Sequence, residues 1–447
     1  MQRPDYCNKS YTKIFMSQEK AKLPSVPARV HPRLEGLRHI AALDYIRAFA
    51  ILHIVLYHYY LEYFQGSFLI VPEGIGANLP RLEVFKDGGI IGLIKNIFSF
   101  VFVYGFTSVN LFLVLSGFVL TFSLLNHQKS GQKFTWISYL WKRLKRILIP
   151  FYISVFLGIG FLYLRNFLFP QFAAAPIFDL LDIVKLFIPP FIFFDIQFVQ
   201  KFNGDYWFIP LILQLYLIFP FLYMALKKIG VKKFLIAAFL IAAAYRYIAA
   251  FYLDSVPMGV IYPAANSYRL FSFFLPRLFE FCLGMGLAKM QFEKSTFLES
   301  ISCRWCVFTG MILAFSGFVL DTFRLGWAVS DLVSAAGLFI LFLGISRKID
   351  SRKKAAPLSG GPSAVAQAGP SAAGFLKKVS DSSYEIFLLH HYFLNYFLVP
   401  LLVTLQFRTE TSFWLLMPVF VVAVCLTGEI GRRISVFMES FFIRRPG

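Results

Sequence analysis

Five ionisable residues stand in one apolar stretch, ALDYIRAFAILHIVLYHYYLE: Asp44, Arg47, His53, His58 and Glu62. An ionisable side chain inside a bilayer costs at least about 2.5 kcal/mol, so each is a functional candidate by default. Arg47 and His58 are eleven residues apart, close to three helical turns, so they share a face about 16 Å apart along the axis. Asp44 and Glu62 fall on the same stripe, at i, i+3 and i, i+4 spacing, and His53 falls on another. Such a stripe must face protein or a water-filled cleft, with an arginine at one mouth and a histidine deep within. The bland alternative is a structural row of ion pairs. Further on, Arg143 and Arg146 in WKRLKR face one way, and arginine forks suit bidentate phosphate binding. That pair also reads as a plain basic flank of a span. His390 and His391 in SSYEIFLLHH point to different faces, so one of them can reach a cleft. Arg277 and Glu280 are spaced to pair structurally. Cys303 and Cys306 form a lone CxxC, and two ligands do not close a zinc site. No metal is expected from this sequence.

These residues need helices to hold them. Of the 447 residues 58% are apolar and 15% are charged, well below the roughly 25% charge of soluble domains. Apolar runs occur at 43–63, 97–125, 147–169, 206–226, 234–253, 271–290, 305–323, 327–346, 382–405 and 411–431, and a crossing takes about 20 residues. The expected fold is therefore an all-α integral membrane protein with about ten transmembrane helices. The net charge of +20 does not signal nucleic acid, because Lys and Arg cluster in alternate segments between the runs. With a cytoplasmic N-terminus, 32 basic residues fall on the cytoplasmic side and 8 on the other, as the positive-inside rule requires. Both termini are then cytoplasmic. Parity makes residues 181–200, with Asp182, Lys185, Pro189 and Pro190, a re-entrant or interfacial segment on the outer face.

The expected organisation is a flexible basic cytoplasmic tail at 1–40, a transmembrane domain at 41–435 and a cytoplasmic C-terminal tail at 436–447. A disordered Ala/Pro/Gly/Ser-rich cytoplasmic loop is expected at 347–374. The first apolar run starts too late and runs too long for a cleavable signal peptide. No internal repeat is evident, which weighs against an inverted-repeat transporter.

Several segments taken together resemble the acyltransferase-3 family of polytopic membrane acyltransferases. LDYIRAFAILHIVLYHYY resembles its first-span pattern of Asp, Arg, ten residues and His, here Asp44, Arg47 and His58. SVNLFLVLSGFVLT resembles its second span, and WKRLKRILIPFY its RxxR-then-Pro signature, here Arg143, Arg146 and Pro150. DYWFIPLILQLYLIFP, with Trp207, Gln214, Tyr216 and Pro220, resembles a further segment, and RLFEFCLGMGLA and SYEIFLLHH complete the series. Asn110 stands where the family commonly has Asp, and Ile212 and Leu213 stand where it often has a Glu pair.

The resemblance implies transfer of an acyl group, often acetyl, from cytoplasmic acyl-CoA to a hydroxyl of a carbohydrate or lipid-linked glycan. Arg47, Arg143 and Arg146 would meet the donor's phosphates. His58 would act as general base or transient acyl carrier, Asp44 or Glu62 would balance the stripe, and His390 is a second acid/base. The expected partners are acyl-CoA, the glycan acceptor and membrane lipids, and the expected location is the cell (inner) membrane. The rival reading is a transporter or flippase that uses the Arg47/His58 stripe as a path.

Overall fold

The computed structural model describes residues 41–443, apart from 65–69, 83–84, 86–87, 132–134, 174–175, 177, 258, 261, 263–268, 294–301 and 356–371. Helices α1 to α5 are Ala41–Tyr63, Ile75–Leu82, Gly89–Val103, Ser108–Lys129 and Trp136–Leu168. Three short helices follow, α6 to α8, at Leu180–Lys185, Pro189–Phe194 and Ile196–Gln200. Then come α9 (Phe208–Tyr252), α10 (Leu278–Phe292), α11 (Cys303–Asp321) and α12 (Ser330–Ala355). The chain closes with α13 (Ala372–Asp381), α14 (Ser383–Phe393), α15 (Val399–Thr404) and α16 (Glu410–Ile443). Among the described residues there is no strand, only two isolated bridges, Ile70 to Val260 and Glu73 to Phe323.

Among the described residues, six stretches are long and apolar enough to cross a membrane: Gly89–Lys129, Trp136–Leu168, Gly204–Tyr252, Cys303–Asp321, Ser383–Thr404 and Glu410–Ser440. Each of the ten apolar runs overlaps helix, but length and composition alone do not reach ten. Helix α1 carries the charged stripe, α10 has only 15 residues, and the apolar part of α12 is short, at Ser330–Ile345. Helix α9 is one 45-residue element that breaks at Gly230, whose φ of 76° and ψ of 165° are not helical. A residue with a Cβ would be strained there.

Helix continues across the limits of two expected segments. Helix α12 runs to Ala355 and α13 starts at Ala372, so both ends of the 347–374 loop are helical. Lys and Arg are good helix formers and extend an established helix at little cost. Helix α16 likewise continues to Ile443, past the expected boundary at 435. The 1–40 tail and residues 356–371 and 444–447 lie outside the described residues.

Segment 181–200 is broken into helices of 6, 6 and 5 residues, none near spanning length. Pro189 and Pro190 open α7, where a missing N–H costs nothing. The Asp179 and Asp195 side chains cap α6 and α8. Asp182 accepts hydrogen bonds from Lys201 Nζ at 2.8 Å and Lys185 Nζ at 3.3 Å. These bonds, Lys201's first, hold its carboxyl below the usual range despite burial.

Close backbone contact organises the bundle. Gly117 of α4 lies against the Phe281 carbonyl, and Gly284 of α10 against the Val114 carbonyl, where a Cβ would overlap either oxygen. Small residues therefore let α4 and α10 touch backbone to backbone. Helix α1 is buried in the middle, with Ile46, Ala48, Ala50, Ile51, Ile54 and Val55 at 0–1% exposure, and it packs against α4, α13 and α14. It contains neither Gly nor Pro over its 23 residues, so it runs unbroken and fixes the spacing of its polar side chains.

Candidate active site

The stripe on α1 meets different partners at its two ends. At the first end Arg47 Nη1 lies 3.6 Å from Asp44 Oδ1 and donates to Ser380 Oγ at 3.4 Å. Ser380 Oγ in turn donates to Asp44 Oδ1 at 3.1 Å. Arg146 and Tyr216 lie within electrostatic reach of Arg47, and Tyr216 shares a hydrogen bond of 3.1 Å with Ser116. Arg143 stacks over the Tyr139 ring at 5.5 Å. Arg146 is exposed and Arg143 half-buried. This end is basic and rich in hydroxyls.

The other end is a carboxylate surrounded by imidazoles. His58 Nε2 lies 3.3 Å from Asp205 Oδ1, His390 Nε2 lies 3.2 Å from Asp205 Oδ2, and His391 Nδ1 lies 3.9 Å from the same oxygen. His58 is 19% exposed, Asp205 6% and His390 not at all. The His390 Nδ1 faces the carbonyls of Phe387 at 2.8 Å and Ile386 at 3.1 Å, so it carries a hydrogen. In the neutral ring Nε2 is then a lone pair. Neither that atom nor Asp205 Oδ2 has a hydrogen-bond partner among the described residues.

Local structure holds this group together. Asp205 sits in a 3-10 turn, Gly204–Trp207, which leads straight into α9. The Asn203 side chain accepts from the Asp205 N–H at 3.0 Å and donates to the Leu388 carbonyl at 3.4 Å, tying the turn to α14. Tyr392 donates to the Phe202 carbonyl at 2.9 Å and to Tyr206 at 3.2 Å, and the Tyr206 and Ser154 hydroxyls are 2.6 Å apart. The chain of hydroxyls joins α14, the turn and α5. Past His391 the helix loosens into a π-helical segment, Leu394–Leu398, before Pro400. Such segments recur at functional sites.

The remaining candidates lie elsewhere. Glu62 is half-buried and its backbone carbonyl accepts from Arg408 at 2.9 Å; no contact of its carboxylate with His58 is seen among the described residues. Asp44 balances Arg47, not His58. His53 Nδ1 lies 2.8 Å from Ser108 Oγ and its Nε2 2.5 Å from the Val101 carbonyl, a satisfied buried histidine away from the cluster. Cys303 and Cys306 are free thiols, the second buried. Arg277 and Glu280 lie 3.5 Å apart, but Arg277 is closer to Asp331, at 2.8 Å, where Arg246 also pairs at 2.7 Å.

The polar group that sequence reasoning missed is Asp205. Its only signal is an acid immediately before an apolar run, at the first position of the DYWFIPLILQLYLIFP segment.

Against this geometry the comparison with family models is decisive: the model described as acyltransferase domain matches residues 40–428. The chain belongs to the acyltransferase-3 family. The matched region takes in both ends of the α1 stripe, the 3-10 turn and the paired histidines. No curated protein and no solved structure matches the chain. Family and apolar helices together make it a multi-pass membrane acyltransferase, and they lend nothing to the transport reading.

Proposed function

We propose that the protein moves an acyl group, acetyl being the one the family resemblance favours, from acyl-CoA to a hydroxyl of a carbohydrate or lipid-linked glycan. The observation that carries this reading is the carboxylate of Asp205 3.3 Å from His58, which shares α1 with Arg47 three turns away. Arg47, Arg143 and Arg146 receive the donor phosphates, and an extended pantetheine arm is long enough to bring the thioester towards His58. His58 takes the proton of the acceptor hydroxyl. Whichever ring nitrogen accepts it, the imidazolium lies beside the Asp205 carboxylate. The hydroxyl oxygen attacks the thioester carbonyl, the carbon–sulfur bond breaks, and CoA leaves as thiolate, which recovers the proton. His390 and His391 flank the second carboxylate oxygen of Asp205, at 3.2 Å and 3.9 Å.

Ten spans with both termini cytoplasmic accompany this reading. The basic-residue asymmetry supports that orientation, and it brings acyl-CoA to the Arg47 end from the cytoplasm. The cell membrane is the proposed location.

The test is purified protein in detergent with radiolabelled acetyl-CoA and a hydroxylated glycan acceptor. Label in the acceptor that depends on His58 supports base-assisted transfer. Acetyl label trapped on the protein, and lost in His58→Ala, points to a covalent carrier. Turnover that survives His58→Ala unchanged refutes the assignment.

A further inference from the structure

The two orphaned acceptors at the centre of the cluster have a consequence beyond acyl transfer. His390 presents its Nε2 lone pair to Asp205 Oδ2 at 3.2 Å, both atoms are buried, and neither has a hydrogen-bond partner among the described residues. Two acceptors face each other most favourably with a cation between them. His58 Nε2 closes the third side, and the ligating atoms of His58, Asp205 and His390 all lie within 4.8 Å of one another. Zinc–ligand bonds of about 2.0–2.1 Å in a tetrahedron put neighbouring ligand atoms about 3.3–3.4 Å apart. The separations of His390 Nε2 from Asp205 Oδ2, 3.2 Å, and of His58 Nε2 from Asp205 Oδ1, 3.3 Å, are of that size, each imidazole facing its own oxygen of the one carboxylate. The outer support is also present: the His390 Nδ1–H donates to the Phe387 carbonyl at 2.8 Å, as metal-bound histidines do to fix their tautomer. Three protein ligands leave a fourth position open, and two imidazoles with one carboxylate favour zinc-class ions over magnesium or calcium.

We propose that His58, Asp205 and His390 form a site for a divalent cation of the zinc class, and that this cation and acyl transfer exclude one another. The exclusion rests on the role assigned to His58 above. An imidazole with a metal on Nε2 carries its hydrogen on Nδ1 and has no lone pair left to take a proton. Occupancy therefore removes the base and places a positive charge where the imidazolium would form.

The binding half is tested without turnover. Full-length protein in detergent is stripped with chelator, equilibrated with Zn²⁺, freed of excess and assayed for bound metal by mass spectrometry. One equivalent is expected in wild type, lost in His390→Ala and in Asp205→Asn, and kept in the Cys303→Ser, Cys306→Ser variant. The cobalt form should show no thiolate-to-metal absorption. A wild-type protein that retains no metal overturns the site, as does an equivalent that survives His390→Ala in protein eluting as a single folded species. The exclusion half is tested by titrating Zn²⁺ into the transfer assay, where loss of rate should parallel occupancy and chelator should restore it. Full occupancy with undiminished transfer overturns the exclusion. A protein that binds Zn²⁺ at the three residues yet never transfers acyl groups refutes the acyltransfer mechanism and leaves the site standing.

Discussion

Asp205→Asn is the most informative single substitution, because it removes a charge and changes almost no volume. At 3.3 Å an imidazolium–carboxylate pair is worth about 5 kcal/mol at an effective dielectric near 20. The carboxylate is shared with His390 and His391, and His58 is partly open to solvent. About half of that energy is therefore expected in the barrier, which at about 1.4 kcal/mol per decade is roughly a 10²-fold loss of kcat. KM for acyl-CoA should hold, since the Arg47 end is three helical turns away. Stability should hold or rise. The new amide can donate to the His390 Nε2 lone pair, which has no hydrogen-bond partner in the native cluster. The assay is steady-state transfer per folded protein, with thermal unfolding followed in parallel. An Asp205→Asn protein that unfolds at the wild-type temperature and turns over at the wild-type rate would remove the carboxylate from the mechanism.

Three other outcomes are expected. His53→Ala leaves the buried Ser108 hydroxyl and the part-buried Val101 carbonyl without this partner; it should cost about 1–3 kcal/mol of stability while transfer per folded molecule stays near wild type, and a collapse of kcat in folded protein would contradict it. Arg146→Lys and Arg47→Lys keep the charge and lose the fork; both should raise KM for acyl-CoA with little change in membrane insertion, and unchanged KM in both would reduce the arginines to topology signals. Reporter fusions at Lys228 should read cytoplasmic and near Val256 external; an external Lys228 would mean that segment 181–200 crosses.

What the sequence discloses here follows the reach of helical periodicity. Asp44, Arg47 and His58 lie on one unbroken helix, so their spacing is readable from residue numbers alone. His390 and His391 are readable as a pair whose faces differ, although which one enters the cleft depends on how α14 packs. Asp205 is different. It lies in a 3-10 turn after Asn203-Gly204, where an acid is ordinary turn chemistry. It becomes central only because α1 and α14 converge on that turn from positions 147 residues before and 185 residues after it. No local pattern encodes such a meeting. The same holds for Asp331, which draws Arg246 and Arg277 together from α9 and the entrance to α10. The span count is legible as apolar runs, yet helix breaks such as Gly230 and short helices such as α10 separate run from element.

The Asp331 centre explains why this chain carries Asn110. The Asn110 amide is used in both directions: its oxygen accepts from Arg277 Nη1 at 2.9 Å and its nitrogen donates to Asp331 Oδ1 at 3.1 Å. All three residues are at least 96% buried, with exposures of 1%, 4% and 3%. An aspartate at position 110 could still accept from Arg277, but it would present a second carboxylate oxygen to Asp331 where a donor now stands. Arg246 cannot compensate, because its guanidinium already donates to Asp331, the Trp327 carbonyl and Ser330. Glu280 adds a further carboxylate 3.5 Å from Arg277. Breaking one member of a buried charged network costs about 3–5 kcal/mol when a charge is left uncompensated. Asn110→Asp should therefore destabilise by several kcal/mol unless the new carboxyl holds its proton. Asn110→Ser, smaller and neutral, should cost less. Thermal unfolding of the two variants in detergent makes the comparison. An Asn110→Asp protein that is more stable than Asn110→Ser would mean that Arg277 has charge to spare, and that the network is built around cations in search of anions and not around Asp331.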